Sequence, residues 1–307
     1  MNNTCLQTLC FNRVCPTDFE KILPYFKGKG LVAAEYSALY IFMWGGYLGI
    51  EYALWDGLLY LRRNNRFGVS YYPPMAIGKP IGETLGALSA LPADSVRLCG
   101  VPAHLVPLVE SAATVLEKGT SRRWADYIYS AEELATLAGK KFSKKRNLVH
   151  QFEKLYPDYR FLPLTAEEIP SAIAFMHEFM ASGEMTEDEV NENRLALSVL
   201  AAWEALPVVG GLLTVANEIV ALTVGEIVDD VLYVHIEKAS RACKGAYQKI
   251  NQLFARECYE KTGVRLINRE DDTGDEGLRQ AKLSYHPVDI LYKYHMVLKN
   301  DFSGGTV

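Results

Sequence analysis

The chain has 307 residues, of which 49% are hydrophobic and 22% charged, and its formal net charge is −5 at pH 7. This length leaves room for two domains, each with its own core. The negative balance argues against a protein that binds DNA through its overall charge, although a local basic groove remains compatible with it.

The six cysteines are too widely spaced for a disulfide framework, and the Cys5, Cys10 and Cys15 series lacks the short pairs of a zinc site. No charged segment followed by an apolar run begins the chain, so we expect no signal peptide. Residues 31–50 carry one charge, Glu35, but their glycines and the hairpin signal that follows favour a buried element over a transmembrane helix. These features predict a cytoplasmic protein with reduced cysteines.

The first half reads as mixed strands and helices. Its pattern predicts, in chain order, a hairpin turning at Asp56-Gly57, a strand at 67–74, helices near 81–91 and 103–118, a strand at 123–130, a helix from the Ser130-x-x-Glu133 capping box to Gly139, a helix from Ser143 to Tyr156, and a strand at 158–164.

The second half has a more regular order. Its pattern predicts helices that begin at the capping boxes Thr165-x-x-Glu168 and Thr186-x-x-Glu189, a meander of strands at 212–216, 219–224 and 231–237, a helix at 245–261, a strand at 264–268, a short helix at 278–284 and a closing strand at 290–298.

An antiparallel meander followed by a helix, a strand, a helix and a strand is the order of elements in the GNAT acyltransferase fold. We therefore predict an α+β protein with two tandem GNAT-like domains, each a mixed, largely antiparallel sheet flanked by helices. The predicted domains are residues 1–160 and 161–300, and residues 301–307 are expected to form a flexible tail.

The acidic stretch NREDDTGDEGLR, residues 268–279, is the first candidate site. No register gives the oxygen ligands, the glycine and the final glutamate of an EF-hand loop, so we predict no metal. The carboxylates could simply favour the positive end of the following helix. Alternatively, Asp271 and Asp272 could hold a cationic group or accept its proton, because the loop follows the carboxyl end of an interior strand.

The basic stretch GKKFSKKRN, residues 139–147, is the second candidate. Several of its cations fall in the first turn of a predicted helix, where they oppose the helix dipole. A solvated basic face explains them, and so does a site for the phosphates of coenzyme A, a transfer RNA end or anionic lipid headgroups. The residues concerned are Lys140, Lys141, Lys144, Lys145, Arg146 and Asn147.

Polar side chains at the meander form the third candidate. Along the strand 231–237, Tyr233, His235 and Glu237 would share one face, and Glu226 follows the preceding strand as another candidate base. A satisfied buried histidine is an alternative explanation for His235. Gly245 lies one position later than the glycine expected in a GNAT cofactor loop, which weakens the case for coenzyme A there.

Long motifs of this chain resemble one known family. The stretches ADYIYSAEELATLAGKKFSKKRNLVHQFEKLYPDY, VHIEK, GAYQKINQLFARE, INREDDTGDEGLRQAKLSYHP and YKY are similar to the phosphatidylglycerol lysyltransferase C-terminal domain family, over about residues 12–298. The resemblance implies two tandem GNAT-like domains, as in Fem-type aminoacyl transferases. It also implies transfer of an acyl or aminoacyl group from acyl-coenzyme A or aminoacyl-transfer RNA to an amine or hydroxyl.

The same resemblance implies roles for the candidate residues. The basic stretch, with Gly245, would face the donor's phosphates, and the acceptor, a small molecule or a lipid headgroup, would lie near Glu226, His235 and Glu237. The stretch from Asn268 and Arg269 to Lys282 would shape the substrate pocket, with Arg279 and Lys282 as contacts for an anion or carbonyl. The alternative function is a non-catalytic binding protein that kept the fold, which the shifted Gly245 favours.

Overall fold

The computed structural model describes residues 9–302, so Cys5 and residues 303–307 of the predicted tail lie outside the described residues. Within the described part, Asp301 is held in place, because its carboxylate accepts hydrogen bonds from the backbone N–H and the hydroxyl of Thr114 at 2.9 and 2.8 Å.

The chain forms two compact units. The described residues up to Ala125 and from Leu291 onward belong to unit 1, and Asp126–Ile290 form unit 2. This division differs from the predicted boundary at residue 160. The reason is strand pairing: residues 126–163 supply strands to the second sheet, whereas the closing strand of the chain returns to the first sheet.

Unit 1 is built on a seven-stranded sheet within the described residues. Its helices and strands are α1 (Phe19–Phe26), α2 (Ala38–Leu48), β1 (Ile50–Trp55), β2 (Leu58–Asn65), β3 (Gly68–Tyr71), β4 (Met75–Ala76), β5 (Ser95–Pro102), α3 (Val106–Ala112), β6 (Val115–Thr120) and, from the end of the chain, β14 (Lys293–Lys299). The order across the sheet is β1-β2-β3-β5-β14-β6, with β4 paired to β2.

Unit 2 is built on the second sheet. Its helices and strands are β7 (Asp126–Ser130), α4 (Ala131–Thr136), α5 (Ser143–Leu155), β8 (Arg160–Pro163), α6 (Ile169–Ala181), α7 (Glu187–Ala201), β9 (Val208–Val215), β10 (Glu218–Val228), β11 (Val231–Ala239), α8 (Ala246–Thr262), β12 (Leu266–Asn268), α9 (Glu276–Leu283) and β13 (Asp289–Leu291). The order across this sheet is β13-β7-β12-β11-β10-β9-β8.

Both sheets follow one plan, which confirms the predicted fold class. In each, an antiparallel meander (β1-β2-β3 or β9-β10-β11) is followed by a parallel neighbour (β5 or β12). In each, the next strand is inserted from a distant part of the chain. It is β14 in unit 1 and β7 in unit 2, and both pair antiparallel.

Local chemistry explains most of the predicted elements. At the predicted hairpin, Asp56 and Gly57 have positive φ values of 50° and 72°, as a tight two-residue turn requires. The Thr186 capping box is present as predicted, with its hydroxyl accepting from the Glu189 N–H at 3.2 Å. The mostly apolar residues 31–50 form a short 3₁₀ turn, helix α2 and the start of β1.

Two predicted helices in unit 1 are wrong in extent. Residues 81–90 form 3₁₀ turns rather than an α-helix, in a stretch that contains Gly82 and Gly86. The segment predicted as helix 103–118 stops at Ala112, and Val115–Thr120 pairs with β14 instead. Across the described residues, no helix is both long and apolar enough to span a bilayer.

The core of unit 2 lies between one face of its sheet and helices α4, α5 and α8. Apolar side chains of β7, β11 and β12 pack there against Phe142 and Val149 of the α5 region and Phe254 and Cys258 of α8. A second cluster joins Phe152 of α5 to Ile250 and Leu253 of α8. Helix α6 packs against β10 and against α7.

Gly245, which precedes the first residue of α8, lies close to α5. Its φ is +86°, and a Cβ there would lie 2.9 Å from the Leu148 carbonyl oxygen and 3.1 Å from the Phe152 Cβ. Gly263, at the other end of α8, has a similar φ of +75° but open space around it. Substitutions at the two glycines can therefore distinguish the effect of the positive φ, which both share, from the effect of close packing, which only Gly245 has.

We expect Gly263→Ala to lower the free energy of unfolding by about 1 kcal/mol, from the positive φ alone. Gly245→Ala adds a steric conflict with α5, so the expected loss is about 3 kcal/mol. Chemical denaturation of both variants measures the difference. Equal losses would show that α5 and α8 do not meet as closely as described.

Candidate functional site

The parallel pairing of β11 and β12 is short. It comprises Val231 with Leu266, Leu232 with Ile267 and Tyr233 with Asn268, after which β12 ends while β11 continues to Ala239. The polar residues that follow this last pair on each strand therefore face each other across a gap in the sheet. Side chains, rather than backbone hydrogen bonds, join the strands there.

A β-bulge in β11 changes which face each residue occupies. Val224 of β10 pairs with Ile236, but the next residue, Gly225, pairs with Val234, so His235 has no partner in the register. The bulge requires glycine at 225, because a Cβ there would lie 2.4 Å from the Tyr233 carbonyl oxygen.

The bulge corrects one prediction. Tyr233, His235 and Glu237 were expected on one face, but the extra residue shifts the alternation by one. His235 stacks on Tyr233, with ring centroids 6.2 Å apart. Glu237 instead reaches Asn251 of α8, and Ala239 packs in the α8 cluster.

Glu237 is the centre of the polar cluster on the α8 side. One oxygen accepts from Arg269 Nη2 at 2.7 Å, and the other accepts from Asn251 Nδ2 at 3.1 Å. Thr223 lies opposite Glu237 in the β10–β11 register and is fully buried. We call Thr223, Glu237, Asn251 and Arg269 the Glu237 cluster.

Three side-chain atoms of the Glu237 cluster are buried without a hydrogen-bond partner among residues 9–302. They are Arg269 Nη1, Asn251 Oδ1 and Thr223 Oγ1. Unsatisfied buried polar atoms are uncommon in folded proteins and costly. Two of these atoms belong to the side chains that bond Glu237, and the third belongs to the residue opposite Glu237 in the strand register. Such a group of atoms is expected of a site that is completed by a polar ligand.

Aromatic rings and a lysine border the cluster. The Arg269 guanidinium lies 5.8 Å from the ring centre of Tyr129 and 5.1 Å from that of Tyr285. Lys145 Nζ lies 3.9 Å from the Tyr285 ring centre. The basic stretch and the acidic loop thus meet through Tyr285, within unit 2.

This arrangement shifts the pKa values of Lys145 and Arg269 in opposite directions. Burial, reinforced by the positive charge of Arg269, lowers the pKa of Lys145 to about 8. Burial by itself would lower the pKa of Arg269, but the charge of Glu237 raises it. Near pH 8, about half of the Lys145 side chains lack their proton and can accept one, while Arg269 remains a cation.

His235 and Asn268 form the other contacts across the gap. His235 Nδ1 lies 2.7 Å from Glu270 Oε1, and the His235 side chain is fully buried. Asn268 accepts from the Glu270 N–H at 2.6 Å and donates to Asp126 at 2.9 Å. Asn268 therefore fixes the start of the loop, where Glu270 has a positive φ of 55°.

The carboxylates of the acidic loop serve several structures. Asp272 is fully buried and accepts from Arg279 Nε at 2.9 Å, Arg279 Nη2 at 3.0 Å and the Tyr127 hydroxyl at 2.6 Å. Lys282 donates to the carbonyl oxygens of Arg269, at 2.7 Å, and Asp271. Asp275 caps α9 through the Leu278 N–H at 2.5 Å.

Some residues of the basic stretch also make structural contacts, whereas others are exposed. Lys141 pairs with Glu133 at 2.7 Å, and Arg146 donates to the carbonyl oxygens of Leu137 and Gly139, which end the α4 segment. Lys140, Lys144 and Asn147 are exposed. Lys145 is thus the member of this stretch that reaches the Glu237 cluster through Tyr285.

The remaining predicted residues lie in the same unit. Glu226 is buried in β10, in register with Tyr233. Gly245 begins α8, at its contact with α5. Within the described part of the chain, no three His, Cys, Asp or Glu side chains are grouped closely enough to hold a metal ion.

Sequence reasoning missed Thr223, Asn251, Tyr129 and Tyr285. Asn251 carried a signal, because it is a polar residue one turn before Phe254 and Ala255 on the buried side of an amphipathic helix. Tyr127 and Tyr129 alternate along β7 and resemble ordinary core residues. Thr223 had no signal in an otherwise apolar strand.

Comparison with known proteins gives matches that cover most of the chain. The model of the family described as phosphatidylglycerol lysyltransferase, C-terminal, matches residues 31–297. A conserved protein of unknown function from Bacteroides thetaiotaomicron VPI-5482 is 32% identical, with a TM-score of 0.86, and the match covers 95% of this chain and 100% of that one.

More distant structures share the fold. L-PGS from Bacillus licheniformis is 15% identical with a TM-score of 0.61, over 94% of this chain and 93% of that one. FemX is 10% identical with a TM-score of 0.56, over 95% and 98%. An uncharacterized protein of Mycoplasmoides gallisepticum is 23% identical over 216 residues, which make up 69% of this chain and 66% of that relative's length.

The buried pair of Asp272 and Arg279 gives a test by pH. Burial by itself would raise the pKa of Asp272, but hydrogen bonds from Arg279, Tyr127 and the Gly274 N–H lower it to about 2, below its ordinary value of 3.8. A lowered folded-state pKa means that the stabilisation is present above pH 4 and is lost as the pH falls towards 2.

We therefore expect Asp272→Asn to remove about 2 kcal/mol of stability at pH 7 and to flatten the stability profile between pH 4 and 2. The matched control is Glu276→Gln, because Glu276 contacts the same arginine at 3.2 Å but is 66% exposed. Denaturation at several pH values measures both. A profile that stays equally steep in Asp272→Asn would contradict the assignment.

Proposed function

Because the chain belongs to the phosphatidylglycerol lysyltransferase C-terminal family, we propose that it is an aminoacyltransferase whose reaction takes place at the Glu237 cluster. The donor is an aminoacyl-transfer RNA, and the acceptor is an amine or hydroxyl on a small molecule or lipid headgroup. The family, described as phosphatidylglycerol lysyltransferase, C-terminal, supports the class of reaction.

The unsatisfied atoms of the cluster are the observation that carries the proposal. Arg269 Nη1 requires an acceptor, Asn251 Oδ1 requires a donor, and the Thr223 hydroxyl takes either role. An aminoacyl ester supplies both kinds of group, since its carbonyl oxygen accepts and its α-ammonium donates. The acyl group of an ordinary acyl-coenzyme A carries no ammonium, so the acyl group itself offers no cationic donor to Asn251 and Glu237.

Charge supports the same orientation. Glu237 has one oxygen bonded to Arg269 and the other to Asn251, and its negative charge favours an ammonium group nearby. Arg269 remains cationic and would stabilise the negative charge that develops on the carbonyl oxygen during attack. A carboxylate for the ammonium and a guanidinium for the carbonyl therefore lie 2.7 Å apart, in contact with each other.

The transfer needs no covalent enzyme intermediate. The acceptor's amine or hydroxyl attacks the ester carbonyl, the new C–N or C–O bond forms, and the bond to the ribose oxygen breaks. The proton that the acceptor loses during attack is returned to the ribose oxygen, which leaves as a hydroxyl. Lys145, whose pKa is lowered to about 8, is the proposed proton acceptor beside the cluster.

The remaining predicted residues have supporting roles in this proposal. Asn268 and Lys282 hold the backbone that presents Arg269, and the Asp272–Arg279 pair anchors the same loop. Lys140, Lys144 and Asn147 are exposed and available to contact phosphates of the transfer RNA acceptor end.

The test is a transfer assay with purified full-length protein, transfer RNA charged with labelled amino acids, and either phosphatidylglycerol vesicles or a mixture of soluble amines. We expect labelled product to form with the unaltered protein. Arg269→Gln should lower the rate about 100-fold or more, because the carbonyl loses its cation. Glu237→Gln should weaken donor use, seen mainly as a higher KM.

The matched control is Glu218→Gln, an exposed glutamate at the start of β10, which should leave the rate unchanged. Thermal unfolding of each variant separates lost chemistry from lost folding. Donor binding without product in the unaltered protein would favour the non-catalytic alternative. Transfer from acyl-coenzyme A but not from aminoacyl-transfer RNA would contradict the proposed donor.

A further inference from the structure

Three neighbouring strands of unit 1 bring polar side chains to one face of its sheet. Tyr71 of β3 pairs with Leu98 of β5, so these two residues share a face. The residues beside them along the strands, Ser70, Tyr72 and Cys99, therefore lie on the opposite face. That face is the one on which a polar cluster forms.

Arg63 of β2 adds a cation to this face. It is paired with Ser70 in the antiparallel register, so the two side chains are direct neighbours. We call Arg63, Ser70, Tyr72 and Cys99 the Arg63 cluster. Burial raises the pKa of the Cys99 thiol to about 11, whereas a hydrogen bond from Ser70 and the charge of Arg63 act to lower it.

A β-bulge presents Cys99 and fixes Tyr72 beside it. Cys99 and Gly100 together lie opposite His295 in the register of β5 with β14, and Gly100 has a positive φ of 60°. The Tyr72 ring packs edge-on against Tyr36 at 6.4 Å, and the Tyr36 hydroxyl donates to the Gly100 carbonyl oxygen at 3.1 Å. Tyr72 is therefore a preorganised wall of the cluster.

A buried ion pair borders the Arg63 cluster. Glu35 Oε1 lies 2.8 Å from Lys293 Nζ, and the two side chains are 12% and 5% exposed. A Cβ at Gly100 would lie 3.7 Å from Glu35 Cγ and 2.8 Å from the Tyr72 ring, so Glu35 adjoins the cluster. The charge of Glu35 is balanced by Lys293, and the pair adds no net charge.

The charge of Arg63 has no such balance. Its side chain makes no ion pair or hydrogen bond within residues 9–302, and its Nε is buried without a partner although the side chain as a whole is half-buried. Glu51, on the neighbouring strand, pairs with Arg62 at 2.7 Å instead. A buried N–H donor of a cation without an acceptor is costly. The cluster thus lacks both a negative charge and a hydrogen-bond acceptor at Arg63.

We propose that the Arg63 cluster binds an oxyanion, the carboxylate or phosphate group of a small molecule, on the Nε side of Arg63. The guanidinium offers its N–H donors in a planar fork that matches two oxygens of either group. The bound oxyanion lies beside Cys99, because Arg63 and Cys99 both adjoin Ser70 on one face of the sheet. This site belongs to unit 1 and uses none of the residues assigned to the transfer reaction.

The test uses Cys99 as a reporter of binding in the full-length protein. Iodoacetamide modifies the cysteines at pH 9, and peptide mass spectrometry follows the rate at Cys99 as sodium phosphate or sodium acetate is added at constant ionic strength. We expect at least one anion to slow this rate saturably, by about threefold or more, because the anion cancels the charge of Arg63 and favours the protonated thiol. The more effective anion identifies the phosphate or the carboxylate as the ligand group.

Arg63→Gln should slow the modification of Cys99 without added anion and remove its dependence on anion. Arg63→Lys, which keeps the charge, should retain that dependence with a weaker affinity. The matched control is Arg66→Gln, an exposed arginine between β2 and β3, which should behave like the unaltered protein. Thermal unfolding of each variant checks that the fold is intact.

The exposed Cys10 is an internal control, because its modification should not depend on the anion. Three results would overturn the proposal: no saturable slowing by either anion, the same slowing in Arg63→Gln, or equal slowing at Cys10. A Glu237→Gln protein that has lost transfer but keeps the anion dependence of Cys99 would leave this inference standing.

Discussion

The contact between Glu237 and Arg269 joins two strands at the point where their backbones stop pairing. Beyond Tyr233 and Asn268 the sheet has no ladder hydrogen bonds between β11 and β12, so the separation of the strands depends on side chains. A carboxylate and a guanidinium held 2.7 Å apart in a mostly buried setting stabilise each other only if their other donors and acceptors find partners. The unsatisfied atoms around them are therefore where we propose that the substrate binds.

The rest of unit 2 keeps this contact in place. The bulge at His235 turns Glu237 towards α8, and Gly225 makes room for that bulge. On the other strand, Lys282 holds the Arg269 carbonyl, and Asp272 fixes α9 through Arg279. Several carboxylates of the acidic loop thus make hydrogen bonds that hold the loop and α9 in place. The carboxylate closest to the proposed chemistry is Glu237, which lies in β11.

Unit 1 has the same order of strands, but different side chains occupy the gap beyond its parallel strand pair. Its parallel neighbours β3 and β5 share a single register pair, Tyr71 with Leu98. The next residues bring an aromatic ring into the gap, because Tyr72 packs against Tyr36 and a Cβ at Gly100 would lie 2.8 Å from the Tyr72 ring. The corresponding gap of unit 1 therefore holds a tyrosine ring beside Glu35, whose carboxylate pairs with Lys293 at 2.8 Å.

The sequence by itself determined what depends on neighbouring residues. The positive-φ turn at Asp56-Gly57, the Thr186 capping box, the three-strand meander and the order of elements in the second half were all readable, because local geometry and short-range periodicity set them. The long motifs also identified the family, and they contained Glu237, Arg269 and Lys145. Only the tertiary structure decided which strands complete each sheet, because β7 and β14 pair with partners far away in the chain. It also decided which charges are free, since the Asp272–Arg279 pair, the β11 bulge and the meeting of Lys145 with Tyr285 depend on contacts that sequence spacing does not encode.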